Sequence, residues 1–291
     1  MLIEFAVQNF LSFREPANFN LVKGSRSELE NTNVIRHGAL STPPLLRSAA
    51  IYGPNAAGKS NLIKAMKVME QMVLKSASET QAGEPLSVTP FLLDEDSTEH
   101  PCEFEVHFIS EGVRYQYGFA ATRKRITEEW LLAYPKGRPQ RWIDRRYDSI
   151  NQAYVWGTMD KLSGKKQLWQ EATRSNALFL STAIQLNNQQ LQPVFKWFSK
   201  ILHVAGFGRW HPGFSIEMCE QEGTRKEVIS FLRAADIDID DVQLEEEKFD
   251  IHTLPDGLSG SVKNRLAKEF KDNPVINVKT AHILDSQQFS L

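Results

Sequence analysis

Gly53-Pro54-Asn55-Ala56-Ala57-Gly58-Lys59-Ser60 is the stretch on which the reading of the chain turns. Its spacing, G-x-x-x-x-G-K-[ST], is that of a P-loop, where the main chain bends so that several amide N–H groups point inward and form a nest for phosphate oxygens. Gly53 and Gly58 stand where a β-carbon would disturb the bend or the approach of a ligand. A helix opening at the end of the bend adds the partial positive charge of its N-terminus. In such a loop Lys59 reaches the outer phosphates and the Ser60 hydroxyl ligates Mg²⁺. The expected binding residues are Gly53, Pro54, Asn55, Ala56, Ala57, Gly58, Lys59, Ser60 and Asn61, with Ser60 as the Mg²⁺ ligand. The competing account is a glycine-containing turn with an exposed lysine.

A strand before the loop and a helix after it separate the two accounts. Leu45 to Tyr52 leads into the glycines, and its Ile51-Tyr52 pair suits a buried strand, with Ala49 and Ala50 small enough for close packing. After the loop, Leu62, Ile63, Met66, Met69 and Val73 recur at three- and four-residue intervals, so residues 59–75 form an amphipathic helix.

Further out, Ile3, Phe5 and Val7 alternate along a first strand over residues 2–10, and a second follows around Phe19 to Val22. Residues 24–44 are polar and close on Thr42-Pro43-Pro44, a loop. Beyond the helix, residues 103–109 and 113–119 alternate around Glu111-Gly112 and predict a hairpin. Residues 126–134 and 141–145 extend it into an antiparallel meander. Helical spacing then returns over Leu178 to Phe198 around a turn at Pro193, and over 224–235. The last segment mixes strand-like Val242 to Leu244, a helix over 258–270 and strand-like Val275 to Val278. We expect one composite α/β domain over 1–291. Its parts are N-terminal strands, loop and helix over 1–75, an antiparallel β region over 76–150, a helical insertion over 151–235 and the start of an incomplete second lobe over 236–291.

A chain of 291 residues with 41% hydrophobic content can bury a sizeable core. Its net charge of -2 excludes a global basic field for nucleic acid, while local clusters at 122–125 and 164–166 read as solvated loops and strand ends. No apolar run approaches the ~18 residues that span a bilayer. Met1-Leu2-Ile3-Glu4-Phe5 lacks the pattern of a signal peptide, so the expectation is a cytoplasmic protein away from membranes. Cys102 and Cys219 have no ligand-spaced neighbours and read as reduced, packed thiols. The seven histidines lie by neither a Gly-x-Ser-x-Gly elbow nor a His-Glu-x-x-His helix, so hydrolase chemistry based on those motifs finds no candidate. Among them only His203 and His211, near Arg209 and Trp210, form a polar-aromatic cluster, which a loop against the core explains.

Asn9-Phe10-Leu11-Ser12-Phe13, about forty residues before Gly-x-Asn-x-x-Gly-Lys-Ser, resembles the heads of the SMC/RecF-like branch of ABC ATPases. Asn55 matches that branch, while Ala56 stands where it often has glycine. This variant, with Pro90-Phe91-Leu92-Leu93, Tyr115-Gln116-Tyr117-Gly118-Phe119, Glu129-Trp130-Leu131 and Leu178-Phe179-Leu180-Ser181, resembles the bacterial AAA-type ATP-binding proteins related to abortive-infection and OLD-family ATPases. The resemblance implies an ABC-ATPase-like head with an antiparallel β arm and a helical insertion. It also implies ATP with Mg²⁺, a homodimer that sandwiches nucleotide, a separate effector protein, and a role in phage defence or on DNA. A segment near the first strand is placed to meet base or ribose, making Ser12 and Arg14 candidate neighbours; a core strand followed by an exposed turn explains them equally.

Such heads also carry a strand ending in Asp-Glu and a Leu-Ser-Gly-Gly signature. Val228 to Asp236 is interrupted by Arg233 and has helical spacing. Leu258-Ser259-Gly260-Ser261 follows a Pro-Asp-Gly turn and lacks the next acidic or amide residue, and Asp240-Asp241 with Glu245-Glu246-Glu247 reads as a solvated face. No catalytic residue is therefore assigned. From the resemblance we expect an N-terminal portion of a longer ATPase, with slow hydrolysis by this chain alone. Two other functions remain open: a regulatory protein that binds nucleotide without hydrolysing it, and a small-molecule kinase, whose loop commonly sits on the first strand and precedes an arginine-bearing lid. The absence of an Asn-Lys-x-Asp segment favours ATP over GTP.

Overall fold

The computed structural model describes residues 1–26, 28–205, 213–235, 237, 239–247, 275–284 and 287–290. The chain divides into two compact units, residues 1–206 and 207–291.

The first unit is organised by a seven-stranded sheet, antiparallel throughout, in the order β2-β1-β5-β6-β7-β8-β9. Its strands are β1 (Leu2–Gln8), β2 (Ala17–Asn20), β5 (Cys102–Ser110), β6 (Val113–Ala121), β7 (Ile126–Tyr134), β8 (Gln140–Asp148) and β9 (Ala153–Trp156). Alternation selects the core face: Phe5 and Val7, then Phe104, Val106 and Phe108, then Tyr115, Tyr117 and Phe119 are all buried. Against this face pack α2 (Lys59–Lys75), through Leu62, Ala65, Met66, Met69 and Val73, and α5 (Phe179–Gln185), through Phe179, Leu180 and Ala183; the short α3 (Glu95–Glu99) precedes β5, and α4 (Lys166–Ala172) precedes α5 in the chain. A π-helical turn over Trp197–Ile201 follows α6 (Gln192–Lys196) and stacks Trp197 on Phe108 with ring centroids 4.2 Å apart. The meander, the first strand and the helix after the loop match expectation. Edge strand β9 was not anticipated, and Pro193 lies in the first turn of α6, where its missing N–H costs nothing, instead of in a turn between helices.

The expected strand over 45–52 is corrected. Only Leu45–Leu46 (β4) is extended in a ladder, paired with Val34–Ile35 (β3), which follows the four-residue α1 (Glu30–Asn33). Leu45 is buried with Ile3, Ala39 and Ile109 in a small second cluster. Past it, Arg47 N–H donates to Asn33 O at 2.9 Å, and among the described residues the main chain of 48–52 makes no hydrogen bond. Ile51 and Tyr52 are exposed, Tyr52 at 91%. An apolar pair becomes a strand only where neighbours supply both a ladder and a covering layer, and β3 is two residues long.

The sheet and its helices are joined by a buried polar hub. Glu129 on β7 accepts the amide N–H of Phe179 (2.6 Å) and of Leu180 (2.9 Å) and the hydroxyl of Tyr117 (3.1 Å). Arg145 on β8 lies 3.7 Å from Glu129, donates to Ala177 O (2.8 Å) and Arg174 O (3.0 Å), and stacks over Tyr154. Burial pushes the Glu129 carboxyl up from the ordinary glutamate range, against the opposing pull of Arg145 and the donated hydrogen bonds. Arg174 in turn donates to Ser76 O, Ala77 O and Thr80 O, closing the end of α2 remote from the loop. Cys102 is buried in β5, where desolvation raises its thiol to about 12, and both cysteines are free, as expected.

The second unit holds α7 (Gly213–Glu220), α8 (Glu222–Ala234) and an antiparallel sheet of β10 (Asp241–Glu247), β11 (Val275–Leu284) and β12 (Gln287–Ser290). Cys219, Ile239 and Val242 form its cluster with Val228, Ile229 and Leu232. The expected helix over 258–270, and His211, lie outside the described residues.

Candidate functional site

The loop at 53–60 runs into α2 through Gly58, which has φ +86° and ψ 0°. Ala56, at φ +65°, is a second left-handed residue in the same bend. For an L-residue that region costs roughly 1–2 kcal/mol, so the glycine often found at this position in related loops would relieve strain that Ala56 retains. Two left-handed residues in one short bend turn successive N–H groups to one side. Among the described residues, the amides of Asn55, Ala56, Gly58, Lys59 and Ser60 donate no hydrogen bond, while Ala57 N–H reaches Pro54 O at 3.3 Å. Unsatisfied donors at a helix N-terminus, in a loop where Gly53 to Ala57 are exposed, suit an anionic ligand.

Lys59 closes the bend from within. Its Nζ donates to Gly53 O at 2.8 Å and to Pro54 O at 2.7 Å, spanning the loop mouth. An incoming phosphate would exchange those two neutral acceptors for charged ones, a stronger pairing for an ammonium. The bend therefore has its cation in place and, among the described residues, the amides of Asn55, Ala56, Gly58, Lys59 and Ser60 free.

Ser60 and Asn61 lie in the first turn of α2. Asn61 Nδ2 donates to Ser12 Oγ at 2.9 Å. Ser12 and Phe13 press on the loop so closely that a Cβ on Gly58 would lie 3.0 Å from Ser12 Oγ and 3.2 Å from the Phe13 ring. Gly58→Ala should therefore cost about 1–2 kcal/mol from its backbone angle alone, with further loss from the clash. A thermal melt together with an ATP titration would check it, both falling below wild type. Arg14, by contrast, lies 3.5 Å from Asp94.

The structure thus brings Gly53, Pro54 and Lys59 together, and Gly58 and Asn61 against Ser12, with Asn55, Ala56 and Ala57 at the exposed tip. Among the described residues, no hydrogen bond or ion pair joins an Asp or Glu to residues 53–61, and no group of three or more His, Cys, Asp or Glu could hold a metal ion. Val228 to Ala234 is helical, as its spacing implied. Asp240 pairs with Arg233 at 2.9 Å and Glu245 with Lys279 at 2.7 Å, so these carboxylates have partners on their own unit. Leu258-Ser259-Gly260-Ser261 lies outside the described residues. Cavities among the described residues lie away from the loop: about 320 Å³ beside Lys75 to Ser87, about 560 Å³ between Ser163 and Gln190, and about 470 Å³ over Trp130 on the polar face of the sheet, where Glu105 accepts from Trp130 and Gln116. None of the three is lined by residues 53–61.

The Glu129–Arg145 hub was missed in the sequence. Its signal was present: Glu129 and Arg145 stand at core-facing positions of alternating strands, where a charge requires a buried partner.

A protein-family model described as "AAA domain, putative AbiEii toxin, Type IV TA system" matches residues 48–217. No curated protein matches the chain. Among the described residues no helix is long and apolar enough to cross a membrane.

Proposed function

The chain belongs to this family of bacterial AAA-type P-loop ATPases related to abortive-infection proteins, and from that premise we propose that it binds ATP with Mg²⁺ at residues 53–61. The observation that carries the proposal is the bend whose free amides open onto the N-terminus of α2 beside Lys59. The amides of Asn55 to Ser60 would hold phosphate oxygens, Lys59 would neutralise them, and Asn61 would flank them from the first turn of α2. Mg²⁺, held by Ser60, would supply charge neutralisation to the phosphates. ATP binding then acts as a switch for a homodimer, with an effector protein or nucleic acid as its target, in cytoplasmic phage defence. The resemblance to SMC/RecF-like heads supports that part.

The test is calorimetric titration with MgATP and MgGTP. We expect saturable ATP binding, tighter than GTP. No heat with either nucleotide would refute the assignment.

One observation favours a second function, a regulator that binds without hydrolysing: no described carboxylate meets the loop. Without a group to position and polarise water, turnover should be very slow. Phosphate release under saturating MgATP separates the two, since robust Lys59-dependent turnover would eliminate the regulator. A kinase fits less well, because an antiparallel meander follows α2.

A further inference from the structure

β1 ends in a turn whose shape is costly and heavily braced. Asn9 and Leu11 have φ of +49° and +50°, and Phe10 and Phe13 close the turn with reciprocal main-chain hydrogen bonds of 2.9 Å. The Asn9 side chain, 6% exposed, donates to Ser97 O at 2.7 Å and His100 O at 2.9 Å and accepts Phe91 N–H at 3.1 Å. Leu11 N–H is bound by Thr89 O at 3.0 Å. Strained conformations persist where the surroundings over-determine them, and they concentrate at functional sites.

What the brace presents is Ser12. Its Oγ accepts the Asn61 amide at 2.9 Å and stands 3.0 Å from the place a Gly58 β-carbon would take. One exposed hydroxyl thus touches the residue that ends the bend and a residue in the first turn of α2, while among the described residues its own proton is unengaged. We propose that Ser12 is a positioning residue of the nucleotide site. It orients Asn61 and keeps Gly58 in the left-handed geometry that leaves the loop amides open to phosphate. Arg14, on the same turn, is directed to Asp94 and takes no part. The inference rests on the nucleotide reading of the loop.

The experiment is MgATP titration of the full chain as wild type, Ser12→Ala, Asn61→Ala, the double variant, Ser12→Thr and Lys59→Ala, each with a thermal melt. Ser12→Ala and Asn61→Ala should each weaken binding about tenfold, the size of one lost hydrogen bond. The double variant should be no weaker than either single one, because both remove the same contact. Ser12→Thr, which keeps the hydroxyl, should bind within about twofold of wild type, and the melting midpoint of Ser12→Ala should stay at the wild-type value. Wild-type affinity in Ser12→Ala, multiplied losses in the double variant, or no rescue by threonine would each overturn the proposal. A lowered midpoint in Ser12→Ala, with full affinity in Asn61→Ala, would do the same. These outcomes leave the loop assignment standing if Lys59→Ala still loses binding. A wild type that fails to bind, or a Lys59→Ala variant that binds normally, defeats the loop assignment and this inference together.

Discussion

Arg145→Ala should lower the unfolding free energy of the chain by about 3–5 kcal/mol, the usual cost of stripping one partner from a buried ion pair. Both side chains of the pair are completely buried, so Glu129 would be left without its counter-charge, with only the hydrogen bonds from Phe179, Leu180 and Tyr117. The carbonyls of Ala177 and Arg174 lose their donor at the same time. For a body of this size the loss corresponds to a melting midpoint lower by roughly 10 °C. Glu129→Leu combined with Arg145→Met should recover much of that, because no unpaired charge is left behind. Chemical denaturation of the two single variants and the double checks this: a double variant as unstable as the sum of the singles would show that the pair is not coupled.

Lys59→Ala is expected to reduce ATP affinity by at least ~100-fold, equivalent to about 2.7 kcal/mol, while leaving the melting midpoint within a degree or two. Removal of a charged partner of a phosphate carries a penalty of this order. Stability should be spared because, among the described residues, Lys59 Nζ bonds only to Gly53 O and Pro54 O, in an exposed loop. Isothermal titration and circular dichroism on the same sample decide it. Unchanged affinity would remove the lysine from the site, and a large fall in midpoint would make its role structural.

Periodic features of the fold were legible in advance. Helix α2 was readable from 59 to 75 because its apolar residues keep one face through the whole span, and the meander was readable because each strand alternates against turns of two to five residues. Strand 45–52 failed for a tertiary reason: Ile51 and Tyr52 carry strand propensity, but propensity becomes structure only beside a partner, and β3 ends at Ile35. Edge strand β9 failed because Ala153-Tyr154-Val155-Trp156 is too short for its alternation to rise above the surrounding loops. At the site, the loop was visible as a local motif. The Ser12–Asn61 contact was not, because it joins residues 49 apart and depends on how β1 and α2 lie in space.

The stretch from Ser48 to Tyr52, unpaired among the described residues, also has a practical consequence. Proteases need accessible main chain, and a solvent-facing segment whose amides are unbonded among the described residues supplies it. Limited digestion should therefore nick native protein here first, trypsin after Arg47 and chymotrypsin after Tyr52. Because the nick falls just ahead of Gly53, its rate in rising MgATP would give a gel-based gauge of occupancy at the neighbouring bend.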